Sequence, residues 1–260
     1  NRILDVLDDG KGHIWIGTDH NGLFIYDISN GTITNLVEDR NSSSAIASNN
    51  ISCLYLDDDG VVWLGHNKKG ISYYHYSFHS IVNIEHPESR DVSVILEDSK
   101  GHIWLGTDGK GLFLKRNERD EEVKQQYINS PVVSLLEDRK GRIWIGTYLD
   151  GLYCYDNGNY KHFTIENSLL ASNDIWCLKE DRYGNLWIGS LGGAIQCLRN
   201  GMESFYSLET QCIDVKHPLD MYYDGGDKLY IATVHGLYVV DIKTNNCIGL
   251  FGNKSATQGF

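Results

Sequence analysis

The sequence is poor in basic residues: 23 Lys plus Arg stand against 35 Asp plus Glu, a formal net charge of −12. That balance disfavours a nucleic-acid backbone, which needs clustered Lys and Arg, and it disfavours adhesion to anionic lipid. No apolar run approaches the roughly 20 residues of a membrane helix. The opening residues Asn1-Arg2-Ile3-Leu4-Asp5 carry neither an initiator Met nor a signal-peptide pattern, and read as the start of a fragment or a processed chain. Proline (3) and methionine (2) are scarce. There is no Cys-x-x-Cys, no zinc spacing, no Gly-x-Ser-x-Gly elbow and no phosphate loop, so local sequence spells out no metal or nucleophile chemistry.

What the chain does have is 27 Gly, 16 Tyr and 6 Trp in 260 residues, with 41% hydrophobic and 22% charged residues. This is enough apolar material to bury a core. Many Gly among many aromatics suggests short strands joined by tight turns, and a fixed spacing turns that impression into a repeat. Five Trp (Trp15, Trp63, Trp104, Trp144 and Trp187) sit in a Gly-x-apolar-Trp-apolar-Gly motif, and a sixth, degenerate copy has Tyr230. The steps between these aromatics are 48, 41, 40, 43 and 43 residues. A four-stranded propeller blade repeats at roughly 40–45. Six positions before each aromatic stands Asp: Asp9, Asp57, Asp98, Asp138, Asp181 and Asp224. Seven after it comes Gly22, Gly70, Gly111 or Gly151; the fifth copy has Gly193 one place early, and the sixth, one residue shorter, uses Gly236.

Each copy predicts four strands. Strand A is the apolar run before the Asp (for example 132–137), strand B holds the Trp, strand C starts at Gly-Leu (151–155) and strand D is a weaker aromatic run (160–163). The Asp-x-x-Gly turn between A and B lets the carboxylate accept backbone N–H groups while Gly takes a positive φ. The Gly two residues after each Trp permits a close approach of neighbouring chain. The fold class is therefore all-β, a β-propeller of four-stranded antiparallel blades with six repeats visible, at about 1–49, 50–90, 91–130, 131–173, 174–217 and 218–260. Residues 1–260 form one propeller domain or most of one. The tail after Phe251 reads as a connection into a further blade, which favours part of a larger, seven-bladed ring. The Trp residues are read as wedges between blades, each burying about 150–250 Å², worth roughly 4–6 kcal/mol as an upper bound.

The string from Val132 to Tyr155, and nearly as closely Val92 to Leu114, resembles the two-component regulator propeller repeat. So does the lead-in Ala171-Ser172-Asn173-Asp174-Ile175-Trp176. The pattern departs at Tyr230, where Trp is expected, and at His66, where Thr is expected. The resemblance implies the periplasmic sensor region of a hybrid two-component sensor histidine kinase, built of propellers, a β-sandwich, one membrane helix and a kinase. It implies an oligosaccharide ligand, adjacent propeller and β-sandwich domains as partners, a homodimer as one signalling form, and no cofactor. These residues themselves would contact neither membrane nor nucleic acid.

Propeller ligands usually sit on the face made by the B–C and D–A loops. The B–C loops vary while their scaffold repeats, as a binding face on a rigid frame should. They supply the candidates His20, Asn67, Lys110, Tyr148 and His235. Trp176 is the one Trp outside the repeat slot. It stands where other copies hold Leu4, Ser52, Ser93, Val133 and Leu219, and its ring could stack on a sugar or pack on a neighbouring blade. Cys53, Cys154, Cys177 and Cys197 fall in repeat slots and read as free core thiols; Cys212 and Cys247 lie outside the strongest motif. His13 and His102 share one slot and are expected to be exposed on strand B. His75 and His79, four apart in strand-like sequence, are separated by roughly 13 Å and make no metal pair. Asp57-Asp58-Asp59-Gly60 lacks the spacing of a calcium loop, and no metal or catalytic residue is assigned. Two other functions compete: a propeller lyase recruiting His20, His235 and Lys110, and a protein-interaction scaffold.

Overall fold

The computed structural model describes residues 2–39, 42, 45–75, 80–84, 91–115, 123–192, 195–202, 204–208, 217–244 and 246–251. They form six four-stranded antiparallel sheets, each built from four strands consecutive in the chain. These are the blades of an all-β propeller fold. Blade 4 illustrates the set: strand A Val132–Glu137, B Ile143–Thr147, C Leu152–Asp156 and D Asn159–Phe163. The chain divides into two compact units, residues 1–132 and 133–260.

Local chemistry explains each blade. In the A–B turn of blade 4, the Asp138 carbonyl accepts Gly141 N–H at 2.8 Å. The Asp138 carboxylate accepts the N–H of Lys140 (2.9 Å) and of Arg142 (3.1 Å) through Oδ1. Thr147 Oγ1 donates to the carbonyl of Gly151 at 2.6 Å, closing the B–C end. Gly151 adopts φ 78°, and a Cβ there would lie 2.2 Å from the Phe163 carbonyl oxygen, so the position excludes any other residue.

The wedge reading of the Trp residues holds within each unit. In the first, Trp15 shares a core cluster with Ile51, Leu54, Val62 and Leu64 of blade 2. Trp63 does the same with Val92, Ile95, Ile103 and Leu105 of blade 3. In the second, Trp144 joins Ile175, Leu178, Leu186 and Ile188 of blade 5, and Trp187 joins Met221, Leu229 and Ile231 of blade 6. All five repeat Trp are buried. The Gly two residues on makes this packing possible: a Cβ on Gly146 would lie 2.1 Å from Ser134 Oγ and 2.8 Å from Ile175 Cγ2.

One expectation is corrected. His13 and His102 are not simply exposed: each is half-buried, with Nδ1 2.9 Å from Oδ2 of the repeat Asp, Asp9 and Asp98 respectively. A donor two residues before the Trp reaches back four residues to the turn carboxylate. Arg142 (Nε, 2.7 Å) and Asn185 (Nδ2, 2.9 Å) use the same geometry on Asp138 and Asp181.

Cys53, Cys154, Cys177 and Cys197 are free and buried. Burial pushes the thiols of Cys53 and Cys197 up to about 12 and that of Cys154 up to about 11, and raises Cys177 as well. Gly193, His79, Cys212, the tail from 252 and the side chains of His75 and Cys247 lie outside the described residues.

Candidate functional site

Strand A carries a defect at the same place in successive blades. The A–B register shifts between Ile3 and Asp5, between Ile51 and Cys53, between Ile175 and Cys177, and between Pro218 and Asp220. In blade 3, Val94 and Val92 pair with Gly106 and Thr107 across the same shift. The residue left out of the ladder is Leu4, Ser52, Ser93, Trp176 or Leu219. A bulge of this kind re-aims one side chain out of the regular alternation. In blades 2 and 3 the bulge hydroxyl is structural. Ser52 Oγ lies within hydrogen-bond reach of the carbonyls of Gly65 and Val92, and Ser93 Oγ reaches those of Gly106 (3.1 Å) and Val132 (2.5 Å). Trp176 has no such hydroxyl. It is half-buried, unlike the five repeat Trp.

Trp176 and Tyr148 are brought together. Their ring centroids are 6.4 Å apart at 79°, an edge-to-face pair. Tyr148 stands on the B–C loop of blade 4 and is exposed, followed by exposed Leu149. The loop is anchored behind them. Leu149 N–H donates to Asp174 Oδ1 at 2.7 Å, Tyr153 O–H donates to Asp150 Oδ2 at 2.8 Å, and His162 Nε2 donates to the Asp150 carbonyl at 2.6 Å. The Tyr153 and His162 rings stack at 3.9 Å. The result is an aromatic corner suited to a ligand with an apolar face, on a loop whose Asp150 is engaged by Tyr153 and His162.

The other candidates stand on the B–C turns of their own blades. His20 is exposed, with Nδ1 2.5 Å from Asp19 Oδ1. Asn67 is exposed, and its N–H donates to the Asn50 carbonyl at 3.3 Å. Lys110 is exposed and offers its carbonyl to Gln125 Nε2 at 2.9 Å. His235 is exposed, with its N–H on Thr233 Oγ1 at 3.1 Å. Among the described residues, no cluster of three or more His, Cys, Asp or Glu side chains is placed to hold a metal ion.

Sequence reasoning missed a groove of about 1060 Å³ along the flank of blades 4 and 5, floored by Trp144, Phe163, Leu186 and Leu198. Lys140, Arg142, Lys161 and Arg199 are balanced there by Asp138, Asp156, Glu166 and Glu180, so the groove favours neither sign of ligand charge. Neither Trp176 nor Tyr148 lines it. Its residues come from six strands of the two blades and the turns between them, and no single stretch of sequence signals it.

The family described as two component regulator propeller matches residues 45–68, 87–109, 126–149 and 169–192, one segment for each of blades 2 to 5. The chain carries two-component regulator propeller repeats. An LVIVD repeat also matches residues 12–41. No curated protein matches the chain. Among solved structures, it is similar to the extracellular domain of the hybrid two component system BT4673 from B. thetaiotaomicron, at 20% identity and a TM-score of 0.61, over 95% of this chain and 41% of that one. It is similar to PorZ, a surface component of the type-IX secretion system of Porphyromonas gingivalis, at 15% identity and a TM-score of 0.71, over 92% and 38%. It is also similar to a GH74 enzyme of Niastella koreensis, at 12% identity and a TM-score of 0.69, over 91% and 43%. At these identities the likeness is one of fold, and the chain spans about two fifths of the length of each. Among the described residues, no helix is long and apolar enough to cross a membrane.

Proposed function

We propose that this chain is a ligand-sensing propeller from the extracytoplasmic, periplasmic part of a hybrid two-component sensor kinase. It detects an oligosaccharide released by polysaccharide breakdown and does no catalysis itself. The two-component regulator repeats support the sensor role, and the description of BT4673 as an extracellular domain of such a system supports the compartment. The observation that carries the ligand reading is Trp176, a half-buried indole on a β-bulge, paired with exposed Tyr148. The apolar C–H face of a sugar ring would lie on this pair. Lys110, His20, Asn67 and His235 are secondary candidates on their own loops. Binding signals only if the ligand prefers one of two arrangements of the parent protein, in which adjacent propeller and β-sandwich domains and a second copy are the partners.

The test is calorimetric titration of the chain, and of its parent's whole extracytoplasmic region, with a panel of defined oligosaccharides. Binding by one sugar, weakened at least tenfold by Trp176→Ala in a folded protein, is the expected result; tenfold corresponds to about 1.4 kcal/mol. Unchanged affinity in that variant, or no binding by either protein, overturns the reading. Cleavage products from any oligosaccharide would place an enzyme in its stead.

A further inference from the structure

Five residues after each repeat Trp the backbone turns left-handed: His20 (φ 77°), Lys68 (φ 63°), Gly109 (φ 97°), Leu149 (φ 67°) and Gly192 (φ 71°). Two repeats meet the requirement with glycine. The other three hold a Cβ in a conformation that L-residues rarely adopt and that costs free energy. Leu149 is the apolar member of these three, and at 66% exposure its side chain recovers little of that cost by burial. A carboxylate holds the turn in place: Leu149 N–H donates to Asp174 Oδ1 at 2.7 Å, and Asp174 stands two residues before Trp176. Asp91 holds Lys68 in the same way, also at 2.7 Å. The two loops differ in what they display. At Lys68 the preceding residue is Asn67, whereas at Leu149 it is Tyr148, edge-on to Trp176. One carboxylate thus ties the strained turn of blade 4 to the bulged strand of blade 5.

We infer that Asp174 and Leu149 are positioning residues of a preformed binding corner. The latched left-handed turn holds Tyr148 and the Leu149 side chain beside Trp176, ready for a ligand with an apolar face. Only the choice of a saccharide as that ligand rests on the proposed function. Strain held in the free protein removes ordering that the ligand would otherwise have to impose. Glycine at two equivalent positions shows that the turn itself does not require leucine.

The test begins without ligand. The five repeat indoles are buried, so acrylamide quenching of Trp fluorescence reports chiefly on Trp176. Leu149→Gly should raise Tm by about 1–4 °C as strain is relieved. The same variant should increase the quenching constant. Lys68→Gly, the internal control, should raise Tm similarly and leave quenching unchanged. Asp174→Ala should increase quenching, and Asp174→Asn, which keeps an acceptor oxygen, should restore the parent value. Unchanged quenching in both Leu149→Gly and Asp174→Ala, or a lowered Tm in Leu149→Gly, overturns the inference. Cellotetraose, xylotetraose and maltotetraose then serve as probes. A sugar that protects Trp176 should bind Leu149→Gly at least about threefold more weakly, as expected when preorganisation is lost, and bind Lys68→Gly as it binds the parent. Equal affinity for Leu149→Gly counts against the inference. Failure of all three sugars, or of Trp176→Ala to weaken binding, counts against the proposed function, and the ligand-free quenching still decides this one.

Discussion

The indole Nε1 of Trp104 donates to Oδ2 of Asp98 at 2.9 Å, six residues back across the A–B turn. Trp15 with Asp9 (3.0 Å), Trp63 with Asp57 (2.7 Å), Trp144 with Asp138 (2.9 Å) and Trp187 with Asp181 (2.9 Å) repeat it. One carboxylate therefore does two jobs. Its Oδ1 gathers the turn amides, and its Oδ2 satisfies a buried indole N–H that would otherwise be unpaired. The sixth repeat supplies the contrast: Tyr230 has no indole, and Asp224 is exposed where the other five carboxylates are buried.

Removing that acceptor should be costly. Asp138→Ala strands the Trp144 indole and two turn amides, and should destabilise by about 2–4 kcal/mol. Asp224→Ala should cost less than about 1 kcal/mol, because its carboxylate is exposed and serves no indole. Urea unfolding of the two variants against the parent measures the difference, and equal losses would refute the double role. Trp144→Ala should cost about 3–5 kcal/mol through the cavity it leaves.

The glycine two residues after the Trp makes a second prediction. A Cβ on Gly146 would collide with Ser134 Oγ and Ile175 Cγ2, on strand A of its own blade and of the next. Gly146→Ala should therefore destabilise by about 1–3 kcal/mol through overpacking. Combining it with Ser134→Ala should recover only part of that, since Ile175 still intrudes. Full recovery in the double variant would show that the blade-to-blade contact is looser than the geometry implies.

The frame of the molecule was legible because its determinants recur at fixed spacing. The Trp, the Asp six before it and the Gly after it announce four strands and a turn without reference to anything distant. The bulge was visible only as an odd residue, Trp176, in a slot otherwise filled by Leu, Ser or Val. A register shift depends on pairing with strand B, which spacing within strand A does not encode. The left-handed turn at Leu149 was hidden for the opposite reason: leucine is the wrong residue to signal a positive φ, and only Gly109 and Gly192 in the equivalent places hint at it. His13 and His102 were misplaced because a polar residue on a strand ordinarily points to solvent, and here the turn carboxylate draws it back.

The buried thiols give a prediction of reactivity. Desolvation disfavours the thiolate at Cys53, Cys154, Cys177 and Cys197, and the thiolate is the nucleophile. Iodoacetamide at pH 8 should leave these four unmodified in the native protein and label all of them in 6 M guanidinium chloride. Site-resolved mass spectrometry reads the outcome, and rapid native labelling of Cys154 would show that blade 4 opens locally.

His66 should make the protein's stability fall in acid. It occupies the slot where other repeats place Thr or Ser, and it is fully buried. Ser72 Oγ lies 2.6 Å from Nε2 and 2.5 Å from Asn83 Oδ1. The amide oxygen can only accept, so the Ser72 proton goes to Asn83 and Nε2 carries the imidazole hydrogen. Nδ1 is buried and makes no hydrogen bond of good geometry among the described residues, although backbone groups of Ser48 and Asn50 favour the protonated ring and offset part of the effect of burial. Burial pushes the imidazole down to about 4, against 6.5 in an unfolded chain. The native state therefore resists a proton that the unfolded state accepts. The stability from this residue is complete above pH 6.5, falls as pH drops below it, and levels off below about 4, a total loss of about 3 kcal/mol. The carboxyls of Asp98 and Asp138 lie below their ordinary value: burial raises them, and hydrogen bonds from Trp104 and His102 or from Arg142 and Trp144 outweigh it. Their contribution is lost only at lower pH, below the usual carboxylate range. Those two carboxyls stay ionised between pH 7.5 and pH 5, and urea unfolding of the parent and of His66→Thr at both pH values reads the histidine as the difference, with an expected loss of about 2 kcal/mol from this site. His66→Thr restores the hydroxyl that closes the B–C turn in the other blades and should abolish that component. If the variant keeps the parent's pH slope, the acid sensitivity arises elsewhere.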